Sequence, residues 1–244
     1  MNMPVRAIPA TASIETRVAL LDWSKALDSL DTQGWVSIRA LLSPAECRAL
    51  VAAYADDSLF RGRVVIARHG LGRGEHKHFS YPLPDLVARL RSALYPQLAA
   101  LANSWRDMSK CGVCFPPTHA DYLQGCQDKG GTRPMAALTH YAAGDFHCLH
   151  QVSEGQESFP LQVSILLSEP QAEFTGGEFV LTEQRPRTHP RVDVVALRRG
   201  DAVIFAANCH PLKSQQGRII MRQGVSQVRS GHRHSLSVVF HDSV

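Results

Sequence analysis

The chain has 244 residues, of which 44% are hydrophobic and 20% are charged, and its formal net charge is +4. This composition is that of a globular protein with a core, and the length fits one domain. The small positive charge tolerates an acidic ligand but falls short of the strongly basic surface expected of a dedicated nucleic-acid-binding protein.

Neither a membrane span nor a secretory signal is expected from the sequence. No window approaches the roughly 18 uninterrupted apolar residues that a span requires, and the start "MNMPVRAIPATASIETR" lacks an apolar signal-peptide core. The six cysteines are scattered along the chain, which favours reduced thiols over a disulfide framework. A cytoplasmic location without a membrane partner is the resulting prediction.

Helices dominate the predicted elements of the first half. Apolar residues recur along Glu15–Leu30 with helical spacing, and Gly34–Leu42 alternates like a strand. The following "SPAE" predicts a helix start, with Ser43 as N-cap, Pro44 at the first helical position and Glu46 closing a capping box.

A longer helix is predicted from Pro84 to Trp105, where apolar residues recur at three- and four-residue steps, and Pro96 is expected to kink it. The run from Phe60 to His78 is basic and rich in glycine. It is predicted to be a mobile surface loop, with a substrate lid or a phosphate-contacting arm as the alternative.

From about Met135 the sequence changes to short β-like runs broken by glycine and proline. Helices followed by strands predict an α+β fold, with a β-barrel or jelly-roll core packed by N-terminal helices. We expect residues 1–244 to form a single domain, with a flexible tail at 1–15, a helical and lid region at 16–134 and the β-barrel core at 135–244.

Five sequence blocks between His140 and Asp242 carry a family resemblance: "HYAAGDFHCLHQ", "FPLQVSILLSE", "FTGGEFVLTEQRPR", "LRRGDAVIFA" and "GVSQVRSGHRHSLSVVFHD". In this order they resemble the 2-oxoglutarate/Fe(II)-dependent oxygenase superfamily, and most closely its prolyl-hydroxylase-like bacterial branch whose members act on nucleic acid. The resemblance implies a double-stranded β-helix core of the jelly-roll or cupin-like type. It also implies an iron held by His-x-Asp and a distal His, and an arginine that binds the far carboxylate of 2-oxoglutarate.

Carried over residue by residue, the resemblance places His150 at the first ligand position, Val152 where the carboxylate is expected, and Gln223 where the distal histidine is expected. Arg233 matches the 2-oxoglutarate arginine, and Tyr141 is assigned with it to cofactor binding. Because one of three metal ligands remains, the resemblance predicts a degenerate metal site. No cofactor is therefore expected, with Fe(II) and 2-oxoglutarate as the alternative and His150 as a metal ligand only in that case.

Other residues near this motif are weaker candidates. Regular strand alternation puts Cys148 and His150 on one face and His147 on the other, which makes His147 a poor ligand. Glu154 could swing in from the following turn as a ligand or a substrate contact, or remain a solvated loop carboxylate. His140 could contact a substrate, although a structural role is favoured.

Three functions follow, from different classes. The favoured one is an enzyme that has left iron chemistry and catalyses a non-oxidative step on a small anionic metabolite, with His150 and Gln223 as catalytic groups and Arg233 as the anion anchor. The second is an atypical hydroxylase, demethylase or halogenase, for which an alkylated base or nucleotide is a candidate substrate. The third is a ligand-binding protein without catalysis.

Overall fold

The computed structural model describes residues 12–108, 114–151, 158–211 and 218–244. The α-helices are α1 Ile14–Ala19, α2 Trp23–Gln33, α3 Pro44–Ala53, α4 Asp85–Met108 and α5 His119–Gln127, and 3-10 turns lie at Asp57–Leu59 and Ile66–His69. The strands are β1 Trp35–Ile38, β2 Phe60–Val65, β3 Gly72–Arg73, β4 Glu75–Phe79, β5 Arg133–Pro134, β6 Ala137–Ala142, β7 Phe146–His150, β8 Leu161–Leu166, β9 Phe174–Gly176, β10 Phe179–Gln184, β11 Arg191–Val195, β12 Ala202–Ala206, β13 Cys209–Pro211, β14 Arg218–Val225, β15 Val228–Val238 and β16 Asp242–Ser243.

Two antiparallel sheets form the core. The larger has the order β1-β12-β8-β15-β6-β4-β2, with β9 added to β15, and the smaller has the order β11-β10-β14-β7-β3, with β13 added to β14. A short pair, β5 and β16, lies apart from both. Residues from both sheets line one cavity. The predicted α+β architecture, with a β core and N-terminal helices, is confirmed.

The N-terminal helical segment is divided where the sequence predicted one continuous helix. Helix α1 ends at Ala19, and Asp22 begins α2 by accepting a hydrogen bond from the backbone N–H of Lys25. At the other end, Gly34 adopts a left-handed conformation with φ of 77° and its N–H donates to the Leu30 carbonyl. A capping aspartate therefore overrides the apolar periodicity that runs through the break.

The capping box of α3 is present as predicted. The Ser43 hydroxyl accepts from the backbone N–H of Glu46 at 3.3 Å, and the Glu46 carboxylate accepts from the backbone N–H of Ser43 at 2.8 Å. The same carboxylate accepts from the buried guanidinium of Arg17 at 2.8 Å. The Glu46 carboxylate thus pairs with a backbone N–H group at the start of α3 and, through Arg17, holds α1 against α3.

We expect Ser43→Ala to lower the free energy of unfolding by about 1 kcal/mol, because the N–H group of Glu46 loses its acceptor. Chemical denaturation followed by circular dichroism measures the change. Ser24→Ala, an exposed serine in the first turn of α2, is the matched control and should change stability by less than about 0.5 kcal/mol. Equal effects of the two substitutions would contradict the capping role.

Helix α4 runs from Asp85 to Met108 with Pro96 inside it, as predicted within a few residues. The Arg91 side chain is buried and holds the helix to the chain that follows β15. It donates to the carbonyls of Val239 and Phe240, each at 2.9 Å, and pairs with the Asp242 carboxylate at 2.8 Å. This anchor fixes the position of β15, the strand that carries Arg233.

The prediction of a surface loop from Phe60 to His78 is wrong. Strands β2 and β4 pair with each other, and β4 pairs with β6, so this segment extends the larger sheet. Glycines with positive φ, among them Gly72 and Gly74 at 123° and 113°, gave the sequence its loop-like composition. Strand β4 contributes His76 and His78 to one wall of the cavity.

The described cysteines Cys47, Cys114, Cys126, Cys148 and Cys209 are free thiols. Within the described ranges, no helix is long and apolar enough to cross a membrane. Most of the tail predicted at 1–15 lies outside the described residues.

Candidate active site

A cavity of about 200 Å³ lies between the two sheets. Its polar lining comprises His76 and His78 of β4, Thr139 and Tyr141 of β6, Gln162 and Ser164 of β8, Arg233, Ser235 and Ser237 of β15, His147 and His150 of β7, and Gln223 of β14. Ligand pockets commonly enclose about 300–1,000 Å³. The cavity is therefore sized for a small molecule or for one reacting group of a larger substrate.

Arg233 is the charged group at the base of this cavity, and only 1% of its surface is exposed. Its Nη1 donates to the Ser235 hydroxyl at 3.3 Å, and its guanidinium carbon lies 5.6 Å from the centre of the Tyr141 ring. Gly177 leaves room for it, since a Cβ atom there would lie 2.9 Å from Arg233 Cδ.

The Arg233 guanidinium has no carboxylate partner among the described residues, and its buried Nε has no hydrogen-bond partner there. Burial lowers the pKa of Arg233 below its usual value, but a guanidinium remains charged in proteins. An unpaired buried cation is costly unless a ligand compensates it. The structure thus places a buried cation without a carboxylate partner at the position where the sequence predicted an anion-binding group.

His147 and His150 lie on the same side of β7, against the prediction that His147 faces away. On β14 their pairing partners are Val225 and Gln223, which are two residues apart, whereas the histidines are three apart. This extra residue is a β-bulge, and it shifts the alternation of side chains along β7. The two imidazole rings stack with centres 4.2 Å apart and planes 19° from parallel.

Hydrogen bonds orient both rings. His150 Nδ1 lies 2.9 Å from the Cys148 carbonyl oxygen, which can only accept, so Nδ1 carries the proton and Nε2 has the free lone pair. His147 Nδ1 lies 3.1 Å from the Tyr141 hydroxyl oxygen, while its buried Nε2 has no partner among the described residues. Burial raises the pKa of Tyr141 to about 12, and burial, with smaller contributions from His150 and His76, lowers the pKa of His147 to about 3. Both groups are therefore neutral at pH 7.

Sequence reasoning missed His76 and His78, which extend from β4 into the cavity. Their spacing of two residues was the available signal, but the surrounding glycines favoured a loop. Burial lowers the pKa of His76, and it lowers the pKa of His78 to about 4.

His140 does not line the cavity. It lies on the other face of β6 from Thr139 and Tyr141, where its ring stacks on His232 and His234 at centre distances of 5.2 and 4.6 Å. Strand alternation turns His140 away from the cavity, and its contact with a substrate stays a prediction.

Gln223 pairs directly with His150 across β14 and β7 and lines the cavity. An amide therefore occupies the place where the resemblance led us to expect a histidine. Val152 and Glu154 lie outside the described residues, so a contribution of Glu154 stays a prediction.

Comparison with known proteins identifies the family. The sequence model of the Oxygenase-NA family, described as "Oxygenase, catalysing oxidative methylation of damaged DNA", matches residues 74–243. Two proteins from two strains of Mycobacterium tuberculosis, each named only as uncharacterized, are 37% identical over 167 residues, which is 68% of this chain and 72% of theirs. The chain belongs to the Oxygenase-NA family.

Solved structures of 2-oxoglutarate oxygenases share the fold. A Pseudomonas putida prolyl-4-hydroxylase has a TM-score of 0.54 at 17% identity, covering 88% of this chain and 96% of that one. An oxidoreductase of the 2OG-Fe(II) oxygenase family from Burkholderia pseudomallei has a TM-score of 0.51 at 18% identity, covering 92% and 94%. A Trichoplax adhaerens prolyl hydroxylase has a TM-score of 0.52 at 13% identity, covering 94% of each chain. The superfamily and the double-stranded β-helix predicted from the sequence are confirmed.

The prediction that no cofactor is needed is wrong. The chain belongs to an oxygenase family, and it shares its fold with prolyl hydroxylases and with a member of the 2OG-Fe(II) oxygenase family, so Fe(II) and 2-oxoglutarate are the cofactors to expect. The buried cation of Arg233 fits the far carboxylate of 2-oxoglutarate. The imidazoles of β7 are donors that suit iron, although the described residues contain no preassembled group of three His, Cys, Asp or Glu side chains for a metal ion.

Proposed function

We propose that the protein is an Fe(II)- and 2-oxoglutarate-dependent oxygenase that oxidises a nucleic-acid-related substrate. The observation that carries this proposal is the buried, uncompensated guanidinium of Arg233 at the base of a small polar cavity in a member of an oxygenase family. When bound together in the cavity, Fe(II) and 2-oxoglutarate supply activation of dioxygen, with succinate and carbon dioxide as the co-substrate's products.

The residues of the cavity have separate roles in this reaction. Arg233 binds the far carboxylate of 2-oxoglutarate, and burial strengthens this charge-assisted contact. Ser235 holds the guanidinium by its 3.3 Å hydrogen bond. His150 offers Nε2 as a metal ligand, because its Nδ1 proton is donated to the Cys148 carbonyl. Phe179 and Phe205, whose ring centres are 5.4 Å apart, line the cavity and exclude water from it.

A nucleic-acid-related substrate is supported by the family description and by the site. A cavity of about 200 Å³ that also holds a co-substrate leaves space for one group of a larger molecule. Arg68 and Arg73 are exposed in the segment joining β2 to β4, the strand that carries His76 and His78. Exposed arginines in this segment suit contacts to backbone phosphates while a base enters the cavity.

One observation favours a non-oxidative step on a small anionic metabolite, the function preferred from the sequence. Gln223, an amide and a weak metal donor, faces His150 where a histidine was expected. In that case 2-oxoglutarate or a related anion would bind at Arg233 without being oxidised. A protein that binds without catalysis would behave in the same way towards 2-oxoglutarate.

A coupled turnover assay tests the proposal. Protein reconstituted with Fe(II) without oxygen is mixed with 2-oxoglutarate, dioxygen and a short single-stranded oligonucleotide carrying one methylated base, with the unmodified oligonucleotide as control. We expect the methylated oligonucleotide to stimulate succinate formation and to be converted in proportion. Succinate formation with both oligonucleotides unchanged would contradict a nucleic-acid substrate, and bound but unconsumed 2-oxoglutarate would contradict oxygenase activity.

A further inference from the structure

Arg61 is an exposed arginine of β2 that lies beside the cavity. Its Nε donates to the carbonyl of Pro134 at 3.3 Å, and its Nη2 lies 3.3 Å from the sulfur of Met135. Met135 lines the cavity, and so does His78, which pairs with Gly62, the residue after Arg61. These contacts place the Arg61 guanidinium at the rim of the cavity.

A β-bulge gives Arg61 this position. Phe60 pairs with Phe79 and Gly62 pairs with His78, so two steps along β2 match one step along β4, and Arg61 is the extra residue. A bulge releases one residue from the regular alternation and redirects its side chain, and bulges are common next to active sites. Because β2 is the outermost strand of the larger sheet, a long substrate can reach this side chain from solvent.

The charge of Arg61 is not compensated by a carboxylate among the described residues. Arg63, two residues further along β2, is paired with the Glu75 carboxylate. The two acceptors that Arg61 contacts, a carbonyl oxygen and a thioether sulfur, are both neutral. The guanidinium of Arg61 therefore keeps its charge for an anion from outside the chain.

The residues around Pro134 do not supply that anion. Asp242 pairs with Pro134 across β16 and β5, but its carboxylate is held by the buried guanidinium of Arg91 at 2.8 Å. Arg133, the exposed residue before Pro134, adds a second positive charge. Burial, and after it the charge of Arg133, lowers the pKa of Arg61, with Asp242 opposing them, and the group stays charged.

We propose that Arg61 binds the backbone phosphate next to the nucleotide whose base enters the cavity, with Arg133 adding to the attraction. The nucleic-acid character of this ligand rests on the proposed function. Room for the phosphate exists beside the guanidinium, since a Cβ atom at Gly62 would meet no atom of the described residues within 4 Å.

The size of the cavity requires a contact of this kind. Enzymes that act on a base take it out of the stack and into a pocket. A cavity of about 200 Å³ that also holds a co-substrate cannot take in the sugar-phosphate backbone, which must stay at the rim. A cation there fixes the position of the strand, because phosphate contacts set register and orientation while base contacts set specificity.

Binding of a fluorescein-labelled single-stranded oligonucleotide of about ten nucleotides, carrying one methylated base, tests this contact. Fluorescence anisotropy gives the affinity of the full-length protein for it, with 2-oxoglutarate present and oxygen absent, at potassium chloride concentrations from about 50 to 200 mM. The variants are Arg61→Gln and Arg61→Lys. Arg63→Gln is the matched control, because it removes the same charge from an exposed position of the same strand.

We expect Arg61→Gln to weaken binding about fivefold and to make the dependence of log K on log salt less steep by about 0.7, the value for one lost phosphate contact on a single strand. Arg61→Lys should recover most of both, since a phosphate accepts from either cation. The control should leave the salt dependence unchanged. Equal effects of Arg61→Gln and Arg63→Gln, or no binding by the unmodified protein, would overturn the proposal.

Succinate formation separates this contact from the proposed function. Oligonucleotide binding that depends on Arg61 but is accompanied by no succinate once dioxygen is admitted would support the contact and contradict the oxygenase function. Conversion of the oligonucleotide that is coupled to succinate and unaffected by Arg61→Gln, with unchanged salt dependence, would overturn the contact and leave the function standing.

Discussion

Replacing Arg233 by alanine is expected to weaken 2-oxoglutarate binding at least hundredfold, a loss of about 2.7 kcal/mol of binding free energy. The reason is that the co-substrate's far carboxylate loses a buried, charge-assisted partner, and among the described residues no other lysine or arginine lines the cavity. Calorimetry and 2-oxoglutarate-induced thermal stabilisation both measure the effect. A structural role can be separated from this one, because removal of an uncompensated buried charge should leave the ligand-free protein at least as stable as before.

Two further variants sharpen the Arg233 experiment. Arg229→Ala removes an exposed arginine from the same strand and should leave 2-oxoglutarate affinity within twofold of the unmodified protein. Arg233→Lys keeps the charge but loses the planar guanidinium, so we expect intermediate affinity. If Arg233→Ala binds 2-oxoglutarate as the unmodified protein does, Arg233 is not part of the site.

The double change Val152→Asp with Gln223→His is expected to raise Fe(II) affinity at least hundredfold. It adds a carboxylate and an imidazole to His150, and Gln223 is already paired with His150 across the strands. Metal titration without oxygen measures the gain. Ile220→His, which adds an exposed histidine to the same strand, is the control and should have no effect.

An absence of any gain in the double variant would show that Val152 and Gln223 have been assigned to the wrong positions.

Structural features that depend only on neighbouring residues were predicted correctly from the sequence. The capping box at Ser43 is present because its two hydrogen bonds need only four neighbouring residues. The place of Arg233 on the cavity followed from the resemblance, since its spacing from Gln223 is fixed by two consecutive strands, β14 and β15, one in each sheet.

The placement of His76, His78 and His147 in the cavity was not predictable from the sequence in the same way. His147 was assigned outward because regular alternation has no place for a bulge, and the bulge depends on pairing with β14, a strand more than seventy residues further along the chain. His76 and His78 lie in a glycine-rich run that becomes a strand only by pairing with β6. The cofactor prediction was wrong because it weighed the missing ligands of one motif above the oxygenase family to which the chain belongs.

The most direct test of the central claim is Fe(II) binding without oxygen in the presence and absence of 2-oxoglutarate, followed by measurement of succinate after dioxygen is admitted. We expect one iron per chain, tighter binding when 2-oxoglutarate is present, and succinate formation that is lost in Arg233→Ala. Protein that binds 2-oxoglutarate at Arg233 but neither retains iron nor forms succinate would contradict the proposed oxygenase function.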